Sequence, residues 1–123
     1  MTDFRYYNRN PNKDVKSDCV CKAISTATGL LYAAVDNLLE LTAEYNDCDK
    51  LCVCCYNKLL SDILCYRRFD CDYEYTVSEI AKMYPRNKLI IRVEGHLTSS
   101  VYGVTLDIWD CSNEFVDCYW VIE

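Results

Sequence analysis

The chain has one histidine, three glycines and two prolines in 123 residues, and its 13 Lys and Arg are outnumbered by 19 Asp and Glu. Each shortage excludes something. A net charge of −6 and a pI near 4.7 are the wrong sign for a protein that holds a phosphate backbone by counterion release, so nucleic acid is not an expected partner. So few Gly and Pro, with 51% of residues apolar and 26% charged, exclude a disordered or low-complexity chain. No run approaches the roughly 18 apolar residues of a membrane span. The opening MTDFRYYNRN lacks the apolar stretch and small-residue cleavage site of a secretory signal. No membrane partner is expected, and the chain reads as one cytoplasmic domain over residues 1–123.

Cysteine, by contrast, is abundant, with ten residues. In a short secreted chain that density would mean a disulfide scaffold; in a reducing cytoplasm it means thiols acting as small buried hydrophobes. The group Cys48, Cys52, Cys54, Cys55, Cys65 and Cys71 invites a zinc reading, because a helix would align Cys48, Cys52 and Cys55. The spacing argues against it, since structural zinc sites draw on paired Cys-x-x-Cys knuckles and at most one is present. No metal and no cofactor are expected. Tyr6, Tyr7, Tyr45, Tyr56, Tyr66, Tyr73 and Tyr75 share no period and read as core rim or groove lining.

Along the chain, residues 1–18 are polar and rich in turn formers, an irregular lead-in. From Cys19 the apolar positions Val20, Ala23, Ile24 and Ala27 lie on one helical face, with Asp18 or Ser17 available as N-cap and Gly29 as C-terminal cap. A second helix places Leu31, Val35, Leu38, Leu39 and Thr42 on one side, leaves Asp36, Glu40 and Glu44 to solvent, and ends near Asn46. From Asp47 to Tyr66 the four-residue step of Leu51, Cys55, Leu59 and Ile63 predicts a third helix, with a short strand over Cys52–Cys55 as the alternative. Residues 67–75 have no period and read as a surface loop. Thr76-Val77-Ser78-Glu79 is a capping box that opens a helix through Met83, stopped by Pro85. Then come four β segments, 89–93, 96–101, 104–109 and 115–122, with a Tyr102-Gly103 turn, expected to meander antiparallel. The fold class is α+β, N-terminal helices packed on a small C-terminal antiparallel sheet.

Chemistry concentrates at three points. Cys19 stands in the first turn of a helix, where unpaired backbone N–H groups and the helix dipole favour a thiolate. His96 opens a strand after Gly95, and Asp107 lies near the end of the next strand, close enough to orient an imidazole. Alternation sets Thr105, Asp107 and Trp109 on one face, opposite the more apolar Val104, Leu106 and Ile108. A Cys, a His and a carboxylate in that chain order suit a base-activated thiol. Cys21 points to another side of its helix and reads as core.

This order resembles that of papain-like cysteine peptidases, and Asp107-Ile108-Trp109 resembles the Asn-x-Trp that carries their orienting residue. The segments Asp18-Cys19-Val20-Cys21-Lys22-Ala23-Ile24, Gly95-His96-Leu97-Thr98 and Leu106-Asp107-Ile108-Trp109-Asp110-Cys111-Ser112 are more closely similar to a group of small papain-like proteins of phages and bacteria. The resemblance implies a papain-like fold with Cys19 as nucleophile, His96 as general base and then acid, and Asp107 fixing the imidazole tautomer, with Asp110 second in line. Papain-like enzymes commonly bind the oxyanion with a Gln ahead of the nucleophile. This chain has no Gln at all. The Cys19 backbone N–H could supply one donor, and Asn10 or Asn12 another.

Two functions follow. One is a cysteine hydrolase of the peptidase, isopeptidase or amidase type, acting on a protein or peptide through a thioester. The other is a catalytically silent papain-like binding module, such as a phage-encoded inhibitor of a host protein, whose acidity would compete with nucleic acid for a basic surface.

Overall fold

The computed structural model describes residues 4–15 and 17–122; residues 1–3 and 16 of the lead-in, and residue 123 of the predicted domain, lie outside the described residues. Helix α1 (Cys19–Thr28) forms where the apolar stripe recurs, and Val20, Ala23, Ile24 and Ala27 are all buried. Gly29 closes it in the left-handed region (φ 78°), its N–H donating to the Ser25 carbonyl at 3.0 Å. Asp18 holds the N-cap position but does not cap, because its carboxylate is drawn into a side-chain network described below.

Helix α2 (Tyr32–Asn46) buries Val35, Leu39 and Thr42 as the periodicity requires. Leu31 departs from expectation: it precedes the helix and is 73% exposed. The third helix is shorter than its stripe suggests. Asp47, at φ 53°, ends α2 in a left-handed cap. Helix α3 (Val53–Asn57) begins after Cys52, whose thiol accepts from the Cys55 N–H at 3.3 Å, so Cys52–Cys55 is no strand. The chain continues as a π-helical turn, Lys58–Ile63, and this wider winding buries the consecutive Leu59 and Leu60 while Leu51 and Ile63 stay exposed.

Residues 67–75 are not all loop. Strand β2 (Arg67–Asp70) pairs antiparallel at one edge of the sheet, where a charged, mostly exposed strand is tolerated because one side has no neighbour to exclude water. Helix α4 (Val77–Met83) opens with the predicted capping box, Thr76 and Glu79 bonding reciprocally. Strands β3 (Lys88–Val93), β4 (His96–Val101), β5 (Val104–Asp107) and β6 (Val116–Val121) follow. A short strand β1 (Phe4–Tyr6) emerges from the lead-in and runs parallel to β5, pairing Tyr6 with Asp107. Among the described residues the six strands form one mixed sheet, β1-β5-β4-β3-β6-β2, where a purely antiparallel meander is expected from the sequence.

The sheet divides two cores. On one face α1, α2 and α3 cover Ile90, Leu97, Cys118, Trp120 and Ile122; on the other α4 covers Leu89, Ile91, Val93, Val116 and Tyr119. A register shift between Arg92 and Val93 opposite β6 lets Val116 and Tyr119 share a face in spite of their odd spacing. Of the ten thiols, Cys21, Cys55, Cys111 and Cys118 are buried, Cys54 and Cys65 are exposed, and the rest are half-buried, so core filling accounts for only some of them.

Candidate active site

Cys19 enters the site as the first residue of α1, and α1 packs across β4 and β3. His96 is the first residue of β4, paired with Val93 across the Glu94-Gly95 turn. Gly95 has a φ of +71°, which a side chain would strain, and it lines the site itself. Asp107 is the last residue of β5, and the same parity that pairs Ser100 with Thr105 brings it beside His96. The alternation of β5 holds: Thr105 and Asp107 lie on the buried face and Val104, Leu106 and Ile108 on the half-buried one, while Trp109, beyond the strand, is exposed. The physical reason is that α4 packs beside β5 and closes over the polar side.

The three residues meet. His96 Nε2 lies 2.7 Å from Asp107 Oδ2, which leaves Nδ1 as the ring nitrogen open to Cys19, and Cys19 and His96 line the same two depressions. Asp107 divides its oxygens between two tasks. Oδ2 holds the ring, while Oδ1 accepts from the backbone N–H groups of Ile108 (2.7 Å) and Trp109 (3.4 Å). The strand ends there because its last side chain binds the turn that follows it. Trp109 stands edge-on to the imidazole at 4.9 Å between ring centroids, shielding the His96–Asp107 contact and so strengthening it.

Burial by itself would raise a thiol, yet the hydrogen bonds from His96 and the Leu97 amide, with the imidazolium charge, hold Cys19 below the ordinary thiol range. Two residues on, Cys21 is pushed up to about 12 by burial and by the charge of Asp36. Of the described thiols whose surroundings shift them, Cys19 alone moves down; Cys48, Cys55 and Cys118 move up with Cys21. For His96 burial pulls downward, but the bonds to Asp107, Cys111 and Cys19 and the Asp107 charge win and raise it to about 11. The two shifts favour the same arrangement, since the imidazole is moved toward its charged form and the thiol toward its own. A raised folded-state pKa gives stability that is whole below the unfolded value of about 6.5 and is lost as pH rises toward about 11. In Cys19→Ala, which removes the partner titration and one of the bonds that raise His96, denaturation midpoints should fall as pH rises above about 6.5, over a window that ends short of about 11. A midpoint independent of pH there would contradict the His96–Asp107 bond.

Two depressions meet at Cys19, Gly95 and His96. One, of about 340 Å³, is walled by Leu51, Val53, Tyr56, Leu97 and Arg92; the other, of about 370 Å³, by Ser17, Lys22, Asp107, Ile108 and Trp109. Comparison with family models, with curated proteins and with solved structures finds no match. The reading of the site therefore rests on its own geometry.

That geometry does not bring every predicted residue in. Asp110 is exposed and its carboxylate turns to the Ser112 N–H and hydroxyl, so it does not orient His96. Asn10 is buried, but its amide is committed to Asp18 Oδ2 (2.7 Å) and the Tyr32 hydroxyl (3.1 Å). Asn12 is exposed, lines neither depression, and accepts from the Asp14 N–H. Neither supplies an oxyanion donor. Conversely, Cys111, in the sequence only a member of the 106–112 motif, has a buried thiol 3.9 Å from Asp107 Oδ2; its place four residues after Asp107 is the one signal of this in the sequence. His96, Asp107 and Cys111 form the one group of candidate metal ligands among the described residues, their ligand atoms within 4.8 Å of one another. A cation there would have to displace the hydrogen bond between Nε2 and Oδ2.

Proposed function

We propose that the chain is a small cysteine hydrolase of papain-like fold, a peptidase, isopeptidase or amidase, working in the cytoplasm and in that of a bacterial host if phage-encoded. The observation that carries this reading is the Nε2–Oδ2 contact of 2.7 Å, which fixes His96 with its other nitrogen toward the acidified thiol of Cys19. No described helix is long and apolar enough to cross a membrane.

The Cys19 thiolate attacks the carbonyl carbon of an amide and the oxygen takes the electron pair. The tetrahedral intermediate collapses as His96 gives its Nδ1 proton to the departing amine, leaving an acyl-Cys19 thioester. Neutral His96 then takes a proton from water, whose oxygen attacks the thioester; collapse releases the acid and restores thiolate and imidazolium. The depressions on either flank, one mostly apolar, give a protein or peptide substrate room beside the scissile bond.

The test is brief alkylation of the reduced native protein with iodoacetamide from about pH 5 to about pH 8, with labelled cysteines mapped by mass spectrometry. Cys19 should be modified ahead of the other nine, and His96→Ala should abolish its reactivity at the acid end. If Cys19 reacts no faster than the others, the enzyme reading falls, and a module that acts by occupancy takes its place.

A further inference from the structure

Resting on that reading, the open question is which group replaces the missing Gln at the oxyanion. Lys22 is the long donor side chain nearest the nucleophile along α1. It is three residues on, hence on the same helix face about one turn away, and helical side chains lean back toward the N-terminus. Its own side chain is 7% exposed, and it walls the same depression as Cys19, His96 and Trp109.

The ammonium is held, but not used up. Nζ forms an ion pair with Asp18 Oδ1 at 2.8 Å and donates to the Val15 carbonyl at 3.1 Å, so at most two of its three N–H donors are engaged. Asp18 is fixed in turn: its Oδ2 accepts from the Tyr32 hydroxyl at 2.6 Å and from Asn10 Nδ2 at 2.7 Å. Although burial pushes the Asp18 carboxyl upward, the bonds from Lys22, Tyr32 and Asn10 hold it below the usual range. Asn10, predicted as a direct donor, thus acts at one remove by fixing the carboxylate that fixes Lys22. A buried ion pair is a poor source of net stability, because desolvation offsets its attraction. A buried ammonium with an N–H to spare, on a residue that lines the same depression as the nucleophile, is a donor held in place before charge develops, which is what transition-state stabilisation requires.

We propose that Lys22 is the second oxyanion donor, its free N–H and the Cys19 backbone N–H together binding the oxygen of the tetrahedral intermediate. No proton is transferred: Lys22 only donates a hydrogen bond to the oxygen and remains an ammonium throughout.

The proposal separates two reactions of the same thiol. With p-nitrophenyl acetate, Cys19 attacks the ester carbonyl, an oxyanion forms, and collapse expels p-nitrophenolate to leave acetyl-Cys19. This leaving group needs no proton from His96. Iodoacetamide is instead displaced at a saturated carbon, iodide leaves, and no oxyanion forms. Lys22→Met should slow acetylation of Cys19 by about 10²–10³-fold while leaving its alkylation rate and pH profile unchanged, and Lys22→Arg should restore most of the loss. Should Lys22→Met fold poorly, Asp18→Asn with Lys22→Met removes both charges of the buried pair and must show the same split. Equal loss in both reactions, or loss in neither, overturns the assignment. A split seen in Ser17→Ala and absent from Lys22→Met moves it to Ser17. If wild-type Cys19 is alkylated ahead of the other thiols yet not acetylated ahead of them, Lys22 is no oxyanion donor although the activated thiol stands. If it leads in neither reaction, the hydrolase reading has failed as well.

Discussion

Asp107→Ala should reduce acyl-enzyme turnover by about 10²–10⁴-fold, the range expected when a catalytic imidazole loses its orienting partner. The carboxylate is the contact that faces Nε2, at 2.7 Å, and after burial it is the largest influence on His96, which it raises. Without it, burial is opposed only by the bonds to Cys111 and Cys19. His96 then falls from about 11, the thiol of Cys19 loses the proton acceptor and the positive charge that acidify it, and its alkylation edge should move toward the alkaline range of an ordinary cysteine. The two pH limits of activity draw together as a result. Asp110→Ala is the matched control. Its carboxylate faces Ser112 and solvent, so it should leave turnover and both limits where they are. Equal losses in the two variants, read by pH-dependent acylation and alkylation of Cys19, would mean that the turn after β5 matters as a whole and that Asp107 has no special role at the ring.

Asp107→Asn refines the point. An amide can present oxygen to Nε2 only by turning its NH₂ toward the Ile108 and Trp109 N–H groups that Oδ1 now accepts. The Asn variant should accordingly fall between wild type and Ala. One carboxylate serves ring and turn together because both of its oxygens accept.

Much of this site was legible before any coordinates. Cys19, His96 and Asp107 each stand at the first or last residue of an element, and the ends marked by a cap or turn residue are the ones local rules read: a Gly cap after Thr28, a capping box at Thr76, a Gly before His96. What was hidden depends on contacts between distant segments. Strand β1 exists because its backbone pairs with β5, about a hundred residues away in sequence, and nothing in Phe4-Arg5-Tyr6 announces a partner. Strand β2 carries charges along an edge and so lacks the alternation that betrays a half-buried strand. The alternation of β5 could be read, but not which of its faces is covered, because polarity alone does not say which side a helix will pack on. Lys22 was hidden for the same reason. A lysine in a helix is a solvated residue by default, and only the bonds of Asp18 to Asn10 and Tyr32, from two other segments, make it a buried and fixed one. The half of the site that is local chemistry could be read, and the half that is a preorganised environment could not.

Trp120→Ala should be the most damaging change to the fold, with a loss of about 3–5 kcal/mol from a domain whose whole stability is on the order of 5–15 kcal/mol. The side chain is fully buried near the end of β6, between partners Ile90 on β3 and Arg68 on β2. It packs under the helices of the first core, edge-on to Tyr56 at 6.0 Å between centroids, and its Nε1–H donates to the Ser61 hydroxyl at 2.9 Å. Removing it opens a cavity where α3, the π-helical turn and the sheet converge, and it leaves the Ser61 hydroxyl with only its bond to Asn57 Oδ1. Tyr56 also walls the apolar depression beside Cys19, so the loss should reach the site: Cys19 alkylation should become less selective as the local structure loosens. Trp120→Phe keeps most of the volume and should lose less, since it lacks only the Ser61 bond and part of the ring. Urea denaturation followed by far-UV circular dichroism checks the order wild type, Phe, Ala. An Ala variant with a wild-type midpoint would mean that α3 and its π-helical extension are not anchored through this residue, and that the wall they give to the Cys19 pocket is held from elsewhere.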